Sequence, residues 1–216
     1  YDDARFTLAY QNYEESRIDR TRASNNRNIQ TDQVDATSIN WDATKKIGKG
    51  QLFYGLEYVH NKVGSFGKRT NISTNTITPT VSRYPDGSTL STTSIYSSYK
   101  INLHTKVTLT AGLRYSYNTL DASFDTTFIK FPYQDAALRD GAVTGNFGLV
   151  FRPAEGWQLN GNISTGYRMP NVDDIGKLFE SIPGNITVPN PDLIPEYAWN
   201  FEIGIVKNIP NKFRIE

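Results

Sequence analysis

The chain has 216 residues, with 23 Lys+Arg against 22 Asp+Glu and no cysteine. That near-neutral balance gives no basis for a nucleic-acid partner, and the missing thiols exclude disulfides and thiolate metal sites. Mean hydropathy is −0.51, and no run approaches the ~18 apolar residues of a membrane helix; a membrane β-barrel, whose hydropathy signal per segment is weak, is not excluded.

The dominant pattern has period two, which reads as half-buried strand. In chain order it covers residues 5–11, 33–43, 52–60, 95–104, 107–118, 143–152, 157–168 and 197–207. In the seventh run Trp157, Leu159, Ile163 and Tyr167 share one face, whereas Gln158, Asn160, Asn162 and Arg168 share the other. A slip of one residue would exchange the faces, so each run has a fixed orientation. The polar faces carry Thr, Ser, Asn, Gly and Arg, a composition suited to a wet, enclosed surface. A further run begins at Phe213–Ile215.

Connections alternate in length. Short ones cover 45–51, 104–106, 152–157 and 207–212; long ones cover roughly 18–31, 64–92, 120–141 and 169–195. The expected fold is all-β: an antiparallel up-and-down meander forming a partial transmembrane β-barrel of about eight or nine strands. Trp157 and Tyr167 are ten residues apart on one face, or ~33 Å of strand; a tilt of ~40° gives ~25 Å, the height of the apolar band between aromatic girdles. In this reading Tyr167 ends the lipid face, and the first and last strands do not pair with each other.

Catalytic chemistry has little support. His60 and His104 lack metal-ligand neighbours at useful spacing, and adjacent acid pairs in strands point to opposite faces. No nucleophile-elbow or phosphate-loop motif occurs. The expectation is a protein that is not an enzyme and needs no cofactor. Lumen-side Arg114, Arg168 and Lys100 suit an anionic ligand, or pair with acids such as Glu57 and Glu202.

The most specific stretch is "GYRMPNVDD … NPDLIPE". Pro170 cannot donate to a ladder and biases Met169 away from helix; Pro189, Pro191 and Pro195 stiffen the return. The boxes Tyr167-Arg168-Met169-Pro170 and Asn190-Pro191-Asp192-Leu193-Ile194-Pro195-Glu196, followed by Glu202-Ile203-Gly204, resemble the C-terminal barrel half of TonB-dependent outer-membrane receptors. Gly112-Leu113-Arg114-Tyr115 resembles the family's G-x-R-Y strand, and "AYQNYEESRIDRTR" and "LFYGLEYVHNKVGS" resemble strands of its haem-receptor branch.

The resemblance covers essentially the whole chain. It implies a 22-stranded barrel of the Gram-negative outer membrane, of which residues 1–216 are a partial barrel domain without the plug. It further implies uptake of an extracellular iron carrier, siderophore or haem, energised by TonB through the plug, with outer-membrane lipid around the wall. Arg114, Arg168, Asp173, Asp174, Asn190 and Asp192 are the expected ligand-side residues. Haem ligation in that branch is associated with a histidine between the two boxes, and residues 171–189 contain none. A passive pore or structural barrel, or a soluble β-rich carbohydrate-binding domain, are the alternatives.

Overall fold

The computed structural model describes residues 1–129, 133–176, 179–182, 185–187, 190, 192–209 and 213–215. Its strands are β1 (Asp3–Asp19), β2 (Asn26–Ile47), β3 (Gly50–Asn71), β4 (Ile77–Thr80), β5 (Ser88–His104), β6 (Val107–Ser123), β7 (Asp135–Phe151), β8 (Trp157–Arg168), β9 (Phe179–Ile182), β10 (Asn185–Thr187), β11 (Glu196–Ile209) and β12 (Phe213–Ile215); a short helix, α1, covers Val172–Gly176. Ten strands make one antiparallel sheet in the order β1-β2-β3-β5-β6-β7-β8-β11-β12, with β4 beside β3; β9 and β10 form a separate pair. Among the described residues β1 and β12 lie at opposite ends of this order and do not pair, so the sheet is open.

The register gathers the apolar residues on one face. Phe6, Trp41, Leu56, Ile95, Tyr115 and Val143 follow one another across six strands in a single row. Phe147, Ile163 and Phe201 form part of another row. Large apolar side chains on this face are exposed, Ile163 by 45% and Val143 by 62%. In water such a surface would be costly, because exposed apolar patches of this extent mark an interaction with another apolar phase. It has the form of a lipid-facing barrel wall, apolar outside and polar inside.

The opposite face is polar and cross-linked. One row runs Arg5, Asp42, Gly55, Tyr96, Arg114, Thr144. Gly55 has no Cβ, and the Tyr96 ring takes that space to reach Asp42, to which its hydroxyl donates. Arg114 lies over the Tyr96 ring, 5.5 Å from its centroid, and pairs with Glu57 two strands away.

The strands are longer than the alternation suggests. β2 and β3 have 22 residues each, or ~55 Å of height at a tilt of ~40°, about twice the ~25 Å apolar band. The expected loops 18–31, 64–92 and 120–141 therefore shorten to 20–25, 72–87 (interrupted by β4) and 124–134. Beyond the apolar band both faces meet water, so apolar–polar contrast vanishes while the ladder continues: outward Ser16 and Thr31 share a hydroxyl contact of 2.9 Å.

Short turns occupy one end. Gly48 and Gly156 have positive φ, 59° and 71°, as tight turns require. All long connections leave the other end, and the main buried apolar cluster lies there, on the polar face: Leu120, Ala122, Phe124, Ala136, Met169, Val172 and Ile175.

Candidate ligand site at the inner mouth

Two loops build the site. The first precedes β5. Gly87 turns the chain at φ 77°, and the Ser88 hydroxyl donates to the Pro85 carbonyl at 2.7 Å. Ser65 of β3 anchors the loop: its backbone N–H donates to Asp86 at 2.9 Å, and its hydroxyl accepts the N–H groups of Arg83 and Tyr84 at 3.2 and 3.1 Å. The same hydroxyl donates to buried Asp32 at 2.6 Å. Arg83 is thereby held 3.4 Å from Asp32 and 3.8 Å from Glu15.

The second loop follows β8. Arg168 ends the strand with both guanidinium edges engaged. It meets the two Glu196 oxygens at 3.0 and 2.9 Å and Asp174 at 2.6 Å. Pro170 ends the ladder, and the chain turns onto the inner face. Asn171 and Asp174 exchange side-chain-to-backbone hydrogen bonds at 2.9 and 3.0 Å, a capping box that starts α1. Met169, Val172 and Ile175 then bury against Leu120, Ala122, Phe124 and Ala136. The two loops meet where the Tyr84 hydroxyl donates to Asp173 at 2.6 Å. Burial, reinforced by the Asp173 carboxylate, pushes the Tyr84 phenol well above its ordinary pKa.

Between the loops lies a cavity of about 430 Å³, lined among others by Tyr13, Glu15, Asp32, Arg83, Tyr84 and Asp173. It offers aromatic faces, three carboxylates and one guanidinium. Tyr133 packs against the neighbouring cluster, and its phenol is raised by burial and by Asp192.

The structure brings Arg168, Asp173 and Asp174 together in this assembly. Arg114 sits elsewhere, on the wall roughly 20 Å along β6 from Leu120, bonded to Glu57, Ser94 and Ser116. Its pairing with Glu57 is one of the two roles open to it in the sequence; Glu202 accepts from Asn200 instead. Asn190 and Asp192 make a local turn, in which the Asp192 N–H donates to Asn190 at 3.0 Å. Arg83, Tyr84 and Asp32 had no periodic signal; the Pro85-Asp86-Gly87 turn beside an Arg-Tyr pair was the available clue.

Tyr167 departs from its expected outward place. The β7–β8 ladder stops at Asn146↔Ser164, and the next β7 N–H, from Gly145, donates to the Thr165 hydroxyl at 2.8 Å. The strands part there. Tyr167 is half-buried against the inner cluster, with its hydroxyl donating to Asp140 at 2.9 Å. Leu159 and Ile163 are exposed as expected.

Among the described residues no group of three His, Asp or Glu side chains is placed to hold a metal. His60 bonds Ser91 at 2.8 Å, and His104 contacts Thr105 beside a short turn; neither lines the cavity.

An open antiparallel wall with one exposed apolar face, short turns at one end and loops folded inward at the other is the geometry of part of a large membrane barrel. The sequence profile described as "TonB dependent receptor-like, beta-barrel" matches residues 1–214. The chain belongs to that family. No curated protein sequence matches it. Solved transporters and uptake receptors share the fold at low identity. The copper transporter OprC matches over 95% of this chain and 33% of its own, with 14% identity and a TM-score of 0.78. The Serratia marcescens hemophore receptor HasR, solved with its hemophore HasA and heme, matches over 98% and 38%, with 14% identity and a TM-score of 0.65. The ferric yersiniabactin uptake receptor FyuA from Yersinia pestis matches over 97% and 32%, with 17% identity and a TM-score of 0.61. The chain thus spans about a third of the length of these proteins, and the likeness extends along nearly its whole length.

Proposed function

We propose that this chain is part of the wall and inner mouth of a Gram-negative outer-membrane receptor that captures an extracellular iron carrier, siderophore or haem, and delivers it to the periplasm. The long-loop end faces outside and the short turns face the periplasm, the asymmetry of bacterial outer-membrane barrels. The TonB complex supplies energy through a plug domain, because tight capture opposes release and the outer membrane has no ATP. The chain has no enzymatic role in this reading; its work is binding and passage.

The observation that carries the proposal is the two-faced wall with long loops folded inward at one end over a mixed aromatic and charged cavity. A soluble domain would cover the row from Phe6 to Val143, whereas Phe6, Leu56, Ile95, Tyr115 and Val143 are exposed. Arg168, Asp173 and Asp174 build the mouth, Asn190 and Asp192 shape the return of the second loop, and Arg114 serves the wall below. The carrier enters as a complex and needs no resident metal site. Growth of a receptor-deletion strain on haemin, ferric citrate, a ferric hydroxamate or a ferric catecholate as sole iron source, with copper limitation in parallel, tests the reading. Loss of growth on one iron source, restored by the intact gene, supports it; undiminished growth on all of them, or a copper phenotype alone, contradicts it.

A further inference from the structure

The short-turn end carries an unbalanced charge. The described residues of its four connections hold Lys45, Lys46, Lys49, Lys106, Arg152 and Lys207 against one carboxylate, Glu155. Asp2, at the start of β1, sits beside the first of these turns, where it accepts the Lys46 N–H. Farther along the rim, Lys106 and Arg152 lie opposite each other, one step beyond the Val107↔Phe151 pair, and the Arg152 N–H donates to the Lys106 carbonyl at 2.8 Å. Like charges directly opposite each other destabilise a sheet. The Lys106 ammonium donates to the Pro153 carbonyl at 2.8 Å, and among the described residues neither Lys106 nor Arg152 makes an ion pair. Beside them the Lys207 ammonium lies 4.6 Å from the centre of the Trp157 ring, its cross-strand partner on the outer face. A cavity of about 580 Å³ lies among these turns, lined among others by Thr105, Lys106, Arg152, Glu155, Trp157 and Asn208. The next outward row along the strands, Phe151, Leu159 and Ile205, is apolar and exposed.

We propose that this part of the rim binds an anionic phospholipid, with its phosphate held by Lys106, Arg152 and Lys207 and its acyl chains laid over Phe151, Leu159 and Ile205. The inference rests on the reading that the apolar face meets lipid and that the short turns lie at the membrane's edge. An anionic headgroup supplies the partner that the rim's own side chains do not. Trp157 stands at girdle level, where an indole meets headgroup and hydrocarbon together, and the Lys207 ammonium is held over its ring. The Leu159 row is two residues from Trp157, or ~5 Å of height at a tilt of ~40°, the step from a headgroup to the top of its chains. This continuity of cations with the apolar wall favours a lipid over a soluble anion, which would have no use for the exposed row.

The test places the full receptor in vesicles containing phosphatidylglycerol or phosphatidylcholine that carries a diazirine near the top of one acyl chain. Irradiation marks the residues each probe touches, and mass spectrometry maps the adducts. The expected preference for phosphatidylglycerol at Phe151, Leu159 and Ile205 is about tenfold, between the weights of one and two cations at an anionic surface, about fivefold each. The double change Arg152→Gln with Lys207→Gln is expected to bring the preference below about twofold. Arg152→Lys with Lys207→Arg keeps the charges and is expected to keep the preference, which separates loss of charge from misfolding. Lys68→Gln, near the far end of β3, is expected to leave it unchanged. A preference that survives the double glutamine change, an equal loss with Lys68→Gln, or displacement of the lipid by millimolar inorganic phosphate or a hexaglutamate peptide overturns the proposal. Equal labelling by both probes overturns the rim site and leaves the lipid-facing wall standing. No labelling of the row by either probe overturns the lipid-facing reading itself, and the inference with it.

Discussion

Placing a charge at Ile163 tests the lipid-facing assignment residue by residue. Ile163 is 45% exposed and sits between Phe147 of β7 and Phe201 of β11 on the apolar face. It lies six residues above Trp157, or ~15 Å along the membrane normal at a tilt of ~40°, close to the middle of a ~25 Å band. An arginine there meets hydrocarbon, and the expected cost is about 2–4 kcal/mol. The paired control is Asn162→Arg, one residue away and turned to the polar face, where Glu202 is its cross-strand neighbour; its expected cost is under about 1 kcal/mol. Urea unfolding of the full receptor refolded into lipid vesicles, with Ile163→Ala as a size control, measures both. The reasoning fails if Ile163→Arg costs less than Asn162→Arg, or if Ile163→Ala accounts for the whole effect of the charge.

Three further outcomes follow from the inner face. Leu120→Ala, at a site with no exposure, is expected to cost about 2–3 kcal/mol through the cavity it leaves and to speed proteolysis within residues 169–176, whose Met169, Val172 and Ile175 share its cluster; unchanged cleavage would separate that segment from the cluster. Gly55→Val places a side chain where the Tyr96 ring lies, and overpacking of about 1–3 kcal/mol is expected, read as a lower urea midpoint that Tyr96→Ala partly restores. Arg168→Gln removes the bridge between Glu196 and Asp174; Arg168 and Glu196 are exposed and Asp174 half-buried, so the wall's unfolding midpoint is expected to stay within error while cleavage of the 169–195 connection accelerates.

Legibility in the sequence tracked solvent contrast. Where one face meets lipid and the other water, alternation located strands closely: residues 157–168 are β8, and β6 begins at the expected Val107. Where both faces meet water, as at Arg17 opposite Gln30, the same hydrogen-bonded ladder has no compositional mark and reads as loop. The Arg114–Glu57 pair was legible because a lumen-side Arg and a lumen-side acid have few other partners. Arg83 and Tyr84 were not, because Ser65 and Asp32 position them from strands distant in sequence. The parity of Tyr167 along its run marks it as a girdle residue. Parity fails once a ladder stops, and the Thr165 hydroxyl stops this one by taking the Gly145 N–H. The boxes around Arg168 and Pro195 marked the ends of the inward loop correctly, but nothing in them announced that Met169, Val172 and Ile175 would turn inward as a small core.

The central claim is that this wall serves energised import, and uptake of the growth-supporting iron carrier measures it most directly. Cells carrying the intact receptor are compared with cells lacking TonB and with cells whose proton gradient has been collapsed. The account predicts surface binding in all three and import only in the first. Import that persists without TonB or the gradient would mark a passive pore and contradict it.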